Sequence, residues 1–237
     1  ARAFTATSGP GISLMSEFIG LAYYAEVPAV IVDVQRVGPS TGMPTRTHQC
    51  DILACAYASH GDTKHVLLFP SNPEECFYMM VQAFDLAERL QTPVFVMSDL
   101  DIGMNDWLCP ELKWDDAYRP DRGKVLTKEE IEALPKFHRY LDKDDSAEYQ
   151  VVLDRLARKF RRARTLVPPP VIEATGTSDI GLVAIGSSRG AVNEARDILA
   201  KRGIPIDYMR IKAFPFTKEV EAFMASHEKI FVVEQNR

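Results

Sequence analysis

Cysteine is scarce in this sequence, with four residues in 237: Cys50, Cys55, Cys76 and Cys109. Four thiols in a chain of this length do not form a disulfide framework, so we expect reduced cysteines in a cytoplasmic protein. Only Cys50 and Cys55 lie close together in the sequence, which fits neither a tetrahedral zinc site nor an iron–sulfur run. We therefore expect small buried hydrophobic residues and no metal ligands in this chain.

Long apolar runs and an excess of one charge are also missing. No apolar run approaches the ~18–20 residues that a membrane-spanning helix needs, so we expect no membrane association. The 28 Lys+Arg against 33 Asp+Glu give a formal net charge of −5, which argues against a nucleic-acid-binding protein with its basic face. Apolar residues at 46 % and charged residues at 26 % are typical of globular proteins and exclude a disordered or collagen-like chain.

Strand and helix signals alternate along the first hundred residues. Strands are predicted at Ala3–Thr7 and Ala29–Val34, and the unbroken apolarity of the second is typical of a parallel strand covered on both faces. Asn72, followed by a proline and two acids, predicts a helix start. With the strand Pro93–Ser98 this makes a βαβ unit.

The first helix is predicted over about Leu14 to Glu26, after a turn at residues 7–11. Its apolar positions share one face, which Met15 and Ile19 widen, so we expect the helix to be well buried. The positions on that face are Leu14, Phe18, Ala22 and Ala25. The chain opens at Ala1 without a Met and inside a predicted strand, so we expect a fragment of a longer protein.

The alternation of strand and helix signals ends between about Asp101 and Asp145, which predicts an extended connector. A helix follows at Ser146–Arg164, and we expect its basic second half to be a solvated face, with docking of an acidic partner as the alternative. Three prolines at 168–170 mark a boundary. A second α/β block follows, with strands at Leu182–Ile185, Ile206–Ile211 and Lys229–Glu234.

The segment from Gly38 to Gly42, just after the apolar strand and Arg36, is the strongest candidate site. Open α/β sheets bind ligands outside the carboxyl ends of their strands. Arg36 can hold a carboxylate or phosphate through two parallel hydrogen bonds, and Ser40 and Thr41 offer hydroxyl groups. The alternative is a tight surface turn, and the residues alone favour neither.

Two other strand-to-helix turns combine glycine with hydroxyl groups. The turn Thr7-Ser8-Gly9-Pro10-Gly11 could bind an anion at a helix N-terminus, although a simple helix start is commoner. For Gly186–Gly190 we favour a structural role. His48 is the histidine that we single out for proton handling, while His60 and His65 are expected at the surface or behind the site.

These segments carry a family resemblance. Four segments resemble the α subunit of 2-oxoacid:ferredoxin oxidoreductases, most closely the 2-oxoglutarate type. They are the turn at residues 7–11, the stretch Val32–Thr45, the segment Asp51–Leu53 and the segment Pro70–Phe77. The second of them contains the long motif Arg36-Val37-Gly38-Pro39-Ser40-Thr41-Gly42-Met43-Pro44-Thr45. The resemblance covers most of the chain, through Gly186–Gly190 to Arg237.

The resemblance implies an α/β fold with a parallel sheet: a partial pyrimidine-binding domain of the thiamine-diphosphate type, followed by a domain like the C-terminal domain of transketolase. We accordingly predict a pyrimidine-binding domain at residues 1–105, a connector with the basic helix at 106–170 and the transketolase-like domain at 171–237. The resemblance also implies that family α subunits carry a Tyr-Pro-Ile-Thr-Pro segment and an activating glutamate upstream of such a turn. Neither is present here, nor is a γ domain, nor the glycine-rich segment usual near Lys143–Asp145.

The implied activity is thiamine-dependent oxidative decarboxylation of 2-oxoglutarate or another 2-oxoacid to an acyl-coenzyme A, with electrons passed to ferredoxin, reversible as carbon dioxide fixation. Arg36 and Thr41, with Ser40 as a weaker neighbour, are implied to bind the 2-oxoacid, and Thr7, Ser8, Gly9, Pro10 and Gly11 to border the thiamine pyrimidine. A β subunit would complete the hetero-oligomer, sharing the thiamine diphosphate and carrying Mg²⁺ and a [4Fe–4S] cluster. The alternatives are a non-catalytic assembly or binding subunit, or a transketolase-like enzyme without iron–sulfur chemistry.

Overall fold

The computed structural model describes residues 2–123, 127–129, 146–174, 176 and 178–236. Within them the chain forms two sheets flanked by helices. The strands are β1 Phe4–Thr7, β2 Ala29–Gln35, β3 Val66–Leu68, β4 Pro93–Asp99, β5 Val171–Glu173, β6 Ile180–Ile185, β7 Asp207–Ile211, β8 Ala213–Phe214 and β9 Lys229–Val233. The helices are α1 Gly9–Tyr24, α2 Ile52–Ala56, α3 Pro73–Leu90, α4 Leu100–Met104, α5 Ser146–Ala163, α6 Arg189–Lys201 and α7 Lys218–Ala225, with a 3₁₀ turn at Gly186–Ser188. The predicted junction at Lys143–Asp145 lies outside the described residues.

The first sheet has the order β1-β2-β4-β3-β8, and its first four strands are parallel. The central strand β4 is buried along its whole length, as expected for a parallel strand covered on both faces. Asn72 caps α3, since its side chain accepts a hydrogen bond from Glu75 N at 2.8 Å. The predicted parallel α/β sheet and the predicted helix start are both confirmed.

The second sheet has the order β5-β7-β6-β9, with β5 antiparallel to β7. The two-residue strand β8 leaves this part of the chain and pairs antiparallel with β3 of the first sheet. Both β5 and β8 were missing from the sequence prediction, because strands of two or three residues are too short to show a period. The residue limits of the domains stay a prediction.

Helix α1 contradicts two expectations. It begins at Gly9 and not near Leu14, because Ser8 occupies the capping position and a proline stands in the first turn. The face predicted to be buried is exposed, with Leu14 at 87 % and Phe18 at 72 % of full exposure. Ile19, which was predicted to widen that face, is buried together with Ile12 and Tyr23. The helix is apolar around much of its circumference, so the face that meets the sheet could not be told from periodicity.

The basic helix α5 contradicts the expectation of a fully solvated face. Arg155 Nε donates to Glu26 Oε1 at 2.7 Å, and Lys159 Nζ donates to the Gln91 carbonyl at 2.6 Å. These bonds fasten α5 to the C-terminal ends of α1 and α3. Arg158, like its neighbours Arg161 and Arg162, is exposed as predicted.

The two sheets share one apolar core. A single cluster of buried side chains joins Phe69 and Phe95 of the first sheet to Met209, Ile211 and Phe223 of the second part. Burial of each such side chain contributes roughly 1.5–3 kcal/mol to folding, so the two parts stabilise each other. No helix among the described residues has the length and apolarity to cross a membrane.

Candidate active site

A cavity of about 820 Å³ opens where β1 and β2 end, between the first turn of α1 and the loop after Arg36. It lies outside the carboxyl ends of two parallel strands, where open α/β sheets bind ligands. Its walls are formed by Gly9, Pro10, Ile12, Ser13, Leu14, Arg36, Gly38, Pro39, Ser40, His48, Cys50, Asp51 and Ala54. The structure therefore brings together parts of the two candidate segments that are far apart in sequence.

The predicted site residues differ in their placement. Arg36 and Ser40 line the cavity with Gly9 and Pro10. Thr41 is exposed and lies outside the cavity wall. Thr7, Ser8 and Gly11, at the start of α1, also lie outside the wall. Their roles in substrate and cofactor binding stay predictions.

The first turn of α1 packs tightly at the cavity. A side-chain carbon on Gly11 would collide with Thr7 Oγ1, and one on Gly9 would lie 2.6 Å from Asp51 Oδ1. Ser8 accepts backbone hydrogen bonds from Gly11 N at 2.8 Å and Ile12 N at 3.1 Å through its carbonyl. The glycines thus let the free N–H end of the helix reach the cavity wall.

Arg36 carries an unsatisfied donor at the cavity. Its Nε is buried and has no hydrogen-bond partner among the described residues, and an unpaired buried donor costs about 1–3 kcal/mol. The carbonyl of Arg36 accepts a weak hydrogen bond from Cys50 Sγ at 3.4 Å. The guanidinium thus lines the cavity with an unpaired donor, which suits it to an anionic ligand.

The loop that follows Arg36 is closed by its own backbone. Val37 N donates to the Arg46 carbonyl at 3.0 Å, and Met43 N donates to the Val37 carbonyl at 3.1 Å. Gly42 has a φ of +50°, and a side-chain carbon there would collide with the Val37 carbonyl oxygen. The loop therefore depends on a glycine at this position.

We expect Gly42→Ala to destabilise the protein by about 1–3 kcal/mol, because the left-handed backbone is strained for alanine and the new methyl group displaces Val37. The measurement is thermal unfolding together with limited proteolysis of the loop. Gly38→Ala is the matched control, since Gly38 has no positive φ and its added carbon would meet nothing within 4 Å. Equal stability losses in the two variants would contradict the assignment.

Cys50 and Asp51 line the cavity and Asp33 is buried outside its lining, and the sequence interpretation gave none of the three a role in the site. Asp33 is fully buried in β2, Asp51 is half-buried and Cys50 lies beside it. Burial, followed by the negative charge of Asp51, raises the pKa of the Asp33 carboxyl and also that of the Cys50 thiol. An aspartate inside the apolar run of β2 was the available signal, since a charged side chain is seldom buried without a reason.

The histidines separate into different environments. His48 lines the cavity, and its Nδ1 is buried without a hydrogen-bond partner among the described residues. His65 was expected at the surface or behind the site, and the surface alternative is wrong. It is fully buried, with its ring 5.3 Å from those of Tyr23 and Phe95, and burial lowers its pKa to about 4.

The second part of the chain holds the cavity wall from behind. Gln49 lies between His48 and Cys50, and its backbone N donates to the Gln235 carbonyl at 2.7 Å. Its side-chain Oε1 accepts from Gln235 N at 3.2 Å. Its side chain also donates to Asp99 Oδ2 at 3.1 Å. The conformation of the cavity wall therefore depends on contacts with the second sheet.

The turn at Gly186–Gly190 takes part in this joint. Ser187 Oγ donates to Asp99 Oδ2 at 2.6 Å, and Ser188 Oγ donates to the Ile185 carbonyl at 2.6 Å. Both serines are buried, so their hydroxyl groups serve the structure as predicted. Among the described residues no group of three or more His, Cys, Asp or Glu side chains could hold a metal ion.

A protein-family model agrees with this geometry. The model described as pyruvate flavodoxin/ferredoxin oxidoreductase, thiamine diphosphate-binding, matches residues 1–124, which is the part of the chain that contains the cavity. The chain belongs to this family. The resemblance stated from the sequence is thereby confirmed.

Members of the pyruvate flavodoxin/ferredoxin oxidoreductase family include close relatives of the whole chain. The 2-oxoglutarate synthase subunit KorA of Archaeoglobus fulgidus is 34 % identical over 242 residues, covering 100 % of this chain and 68 % of that subunit. The 2-oxoglutarate:ferredoxin oxidoreductase from Magnetococcus marinus, solved with 2-oxoglutarate, coenzyme A and succinyl-CoA bound, superposes with a TM-score of 0.79 at 28 % identity. The alignment covers 100 % of this chain and 46 % of that chain.

The chain as a whole also resembles a transketolase in its fold. A split-gene transketolase, solved as an inactive tetramer, superposes with a TM-score of 0.52 at 12 % identity, covering 98 % of this chain and 57 % of that chain. At this identity the likeness concerns the fold alone. The predicted fold class, a thiamine-type α/β domain followed by a transketolase-like one, is confirmed.

Proposed function

We propose that this chain is the α-subunit portion of a 2-oxoglutarate:ferredoxin oxidoreductase. The reaction is thiamine-dependent oxidative decarboxylation of the 2-oxoacid to an acyl-coenzyme A, with electrons passed to ferredoxin, and it can run in reverse as a carboxylation. The observation that carries the proposal is Arg36, a cavity-lining guanidinium with an unsatisfied buried Nε, within the family's domain. The relatives named for 2-oxoglutarate support the choice of substrate.

Arg36 binds a carboxylate of the 2-oxoacid in this proposal. A guanidinium presents its N–H groups in a planar fork that matches a carboxylate, and the pairing is strongest where water is excluded. Ser40, also at the cavity wall, adds a hydroxyl group, and Thr41 contributes from the exposed side of the same loop. The 2-oxoacid would then lie across the N-terminus of α1.

The residues at the cavity fit one side of a thiamine diphosphate molecule. Gly9 lets the first turn of α1 pack closely against Asp51, and Pro10 and Ile12 give the wall an apolar surface for an aromatic ring. Bound there, the cofactor would supply the carbanion that attacks the 2-oxo carbon. This chain's own residues orient the ring and the substrate, and we propose that a β subunit binds Mg²⁺ and the [4Fe–4S] cluster.

The surface around the cavity supports a partner subunit. Three apolar side chains near the cavity are exposed: Leu14 and Phe18 on α1 and Leu53 on α2. Of these, Leu14 lines the cavity. Exposed apolar side chains next to a ligand site are typical of protein interfaces. We propose that the β subunit covers this face, and that the assembly works with ferredoxin and coenzyme A in the cytoplasm, where the four free thiols stay reduced.

The decisive experiment is reconstitution of the full-length subunit with its β subunit, followed by an assay of dye reduction. We expect reduction that requires both 2-oxoglutarate and coenzyme A, and no turnover of sugar phosphates. Iron and sulfide analysis of the same complex distinguishes it from a transketolase-like enzyme. A complex that assembles but reduces no dye with any 2-oxoacid would instead support a non-catalytic assembly subunit.

A further inference from the structure

An unpaired carboxyl group lies beneath the cavity wall. Asp33 is 0 % exposed on β2, which pairs in parallel with β1 and β4. Its Oδ2 accepts a weak hydrogen bond from Cys55 Sγ at 3.6 Å, and its Oδ1 has no hydrogen-bond donor among the described residues. An isolated carboxylate in such a place is far more costly than a neutral carboxylic acid.

A second carboxyl group faces the first. Asp51 adjoins Asp33, and each carboxyl group changes the pKa of the other. Asp51 Oδ2 is buried, and like Asp33 Oδ1 it has no donor among the described residues when both groups are ionised. One proton between these two oxygens satisfies both, since a carboxylic acid donates and a carboxylate accepts.

The two groups differ in what else surrounds them. Asp51 Oδ1 accepts from Cys50 Sγ at 3.5 Å, and the Asp51 carboxylate lies directly against Gly9, the first residue of α1. A helix N-terminus stabilises negative charge, whereas Asp33 faces only Cys55 and Asp51. The negative charge therefore belongs on Asp51 and the proton on Asp33.

We propose that Asp33 is a neutral carboxylic acid that donates its proton to the Asp51 carboxylate, and that this pair positions the first turn of α1 at the cavity wall. Asp51 also holds the wall itself, because its backbone N donates to Gln35 Oε1 at 3.2 Å. Both are positioning residues. The consequence for cofactor binding rests on the proposed function, but the shared proton does not.

The pair has a pH dependence of known sign. Burial and the Asp51 charge raise the pKa of Asp33 well above its usual range. Burial also raises the pKa of Asp51, although the interactions with Cys50 and Gly9 and the charge of His48 lower it. The folded state therefore holds a proton that the unfolded state releases above about pH 4. Stability due to this proton is present at low pH and declines as the pH rises. The titratable groups facing the pair are Cys50, Cys55 and His48.

The test compares Asp33→Asn and Asp51→Asn in the full-length subunit, with Asp106→Asn at an exposed position as the control. An asparagine amide can donate to Asp51 and accept from Cys55 as the neutral acid does. We therefore expect Asp33→Asn to unfold within about 2 °C of the wild type at neutral pH, and Asp51→Asn about 4–8 °C lower. The infrared C=O band of a buried carboxylic acid is expected at neutral pH in the wild type and Asp106→Asn, and absent from Asp33→Asn.

Two further measurements separate the shared proton from a merely structural role. The unfolding temperature of the wild type relative to Asp33→Asn is expected to fall as the pH rises. In the holoenzyme, Asp51→Asn is expected to weaken thiamine diphosphate binding about 5- to 30-fold while Asp33→Asn leaves it within twofold. If only the thiamine diphosphate measurement disagrees with this expectation, the proposed function is contradicted and the shared proton between Asp33 and Asp51 is not.

The proposal is overturned if the wild type lacks the carboxylic acid band, if the band persists in Asp33→Asn, or if Asp33→Asn is as damaging as Asp51→Asn. If Asp51→Asn does not fold, the spectra and pH profiles of the wild type and Asp33→Asn decide alone. Neither of those measurements requires activity, cofactor or partner.

Discussion

Replacement of Arg36 by alanine is expected to lower kcat/KM for 2-oxoglutarate by roughly 30- to 1000-fold in the reconstituted enzyme. The loss corresponds to about 2–4 kcal/mol, the range for a charge-assisted pair with a carboxylate in a site that excludes water. Most of it is expected in KM, because the guanidinium binds a carboxylate that the substrate carries before and during the reaction. Arg36→Lys is expected to recover little, since an ammonium group cannot form two parallel hydrogen bonds.

Arg46→Ala is the matched control for Arg36. Arg46 belongs to the same loop, and its carbonyl accepts from Val37 N, but its side chain is exposed and lies outside the cavity wall. We expect its kinetic constants to stay within about threefold of the wild type. Steady-state kinetics against 2-oxoglutarate check both variants, and an unchanged KM in Arg36→Ala would remove the assigned role.

Local signals in the sequence predicted most elements of the fold. The unbroken apolarity of Ala29–Val34 predicted a parallel strand, and Asn72 before a proline predicted the start of α3, because these features act on the backbone within a few residues. The site loop was predictable for the same reason. Arg36 follows a buried strand directly, so its position at the sheet edge follows from topology.

Features that depend on long-range partners were not predictable in this way. Leu14 and Phe18 fit a buried helix face as well as Ile12 and Ile19 do, and only the position of the sheet decides between them. The role of Gln49 depends on Gln235, which lies at the other end of the chain. Asp33 was visible as a polar residue in an apolar strand, but its meaning depends on Asp51, which the loop brings beside it.

A buried ion pair connects α3, which packs on the first sheet, to β7 of the second sheet. We expect this pair to contribute more to stability than a surface pair. Glu75 in the first turn of α3 accepts two hydrogen bonds from the Arg210 guanidinium of β7, at 2.7 and 2.9 Å. The side chain of Arg210 is 3 % exposed and that of Glu75 19 %. Glu75 Oε2 also accepts from Ser71 N and Oγ, at 2.9 and 2.8 Å.

Glu75→Gln is expected to destabilise the subunit by about 3–5 kcal/mol, because it leaves the Arg210 charge buried without a counterion and arginine cannot release its proton. For a protein of this size that corresponds to a fall of roughly 6–20 °C in the unfolding temperature. Arg210→Met is expected to cost less, since Glu75 can take up a proton and keeps Lys212 Nζ 3.5 Å away. Chemical denaturation of both variants gives the two free energies of unfolding.

The same pair predicts how stability changes in acid. Burial raises the pKa of Glu75, but the hydrogen bonds and charge of Arg210, with Ser71, outweigh it and lower the pKa to about 2. Because the folded pKa lies below the usual 4.5, the stabilisation is complete above that pH and is lost as the pH falls toward 2. The free energies of unfolding of the wild type and Glu75→Gln should therefore converge in acid.

Glu173→Gln is the control for Glu75→Gln, because it breaks the exposed 2.7 Å pair with Arg196. We expect it to lower the free energy of unfolding by less than about 1 kcal/mol. An equal loss in Glu75→Gln would show that the buried pair contributes no more than a surface pair.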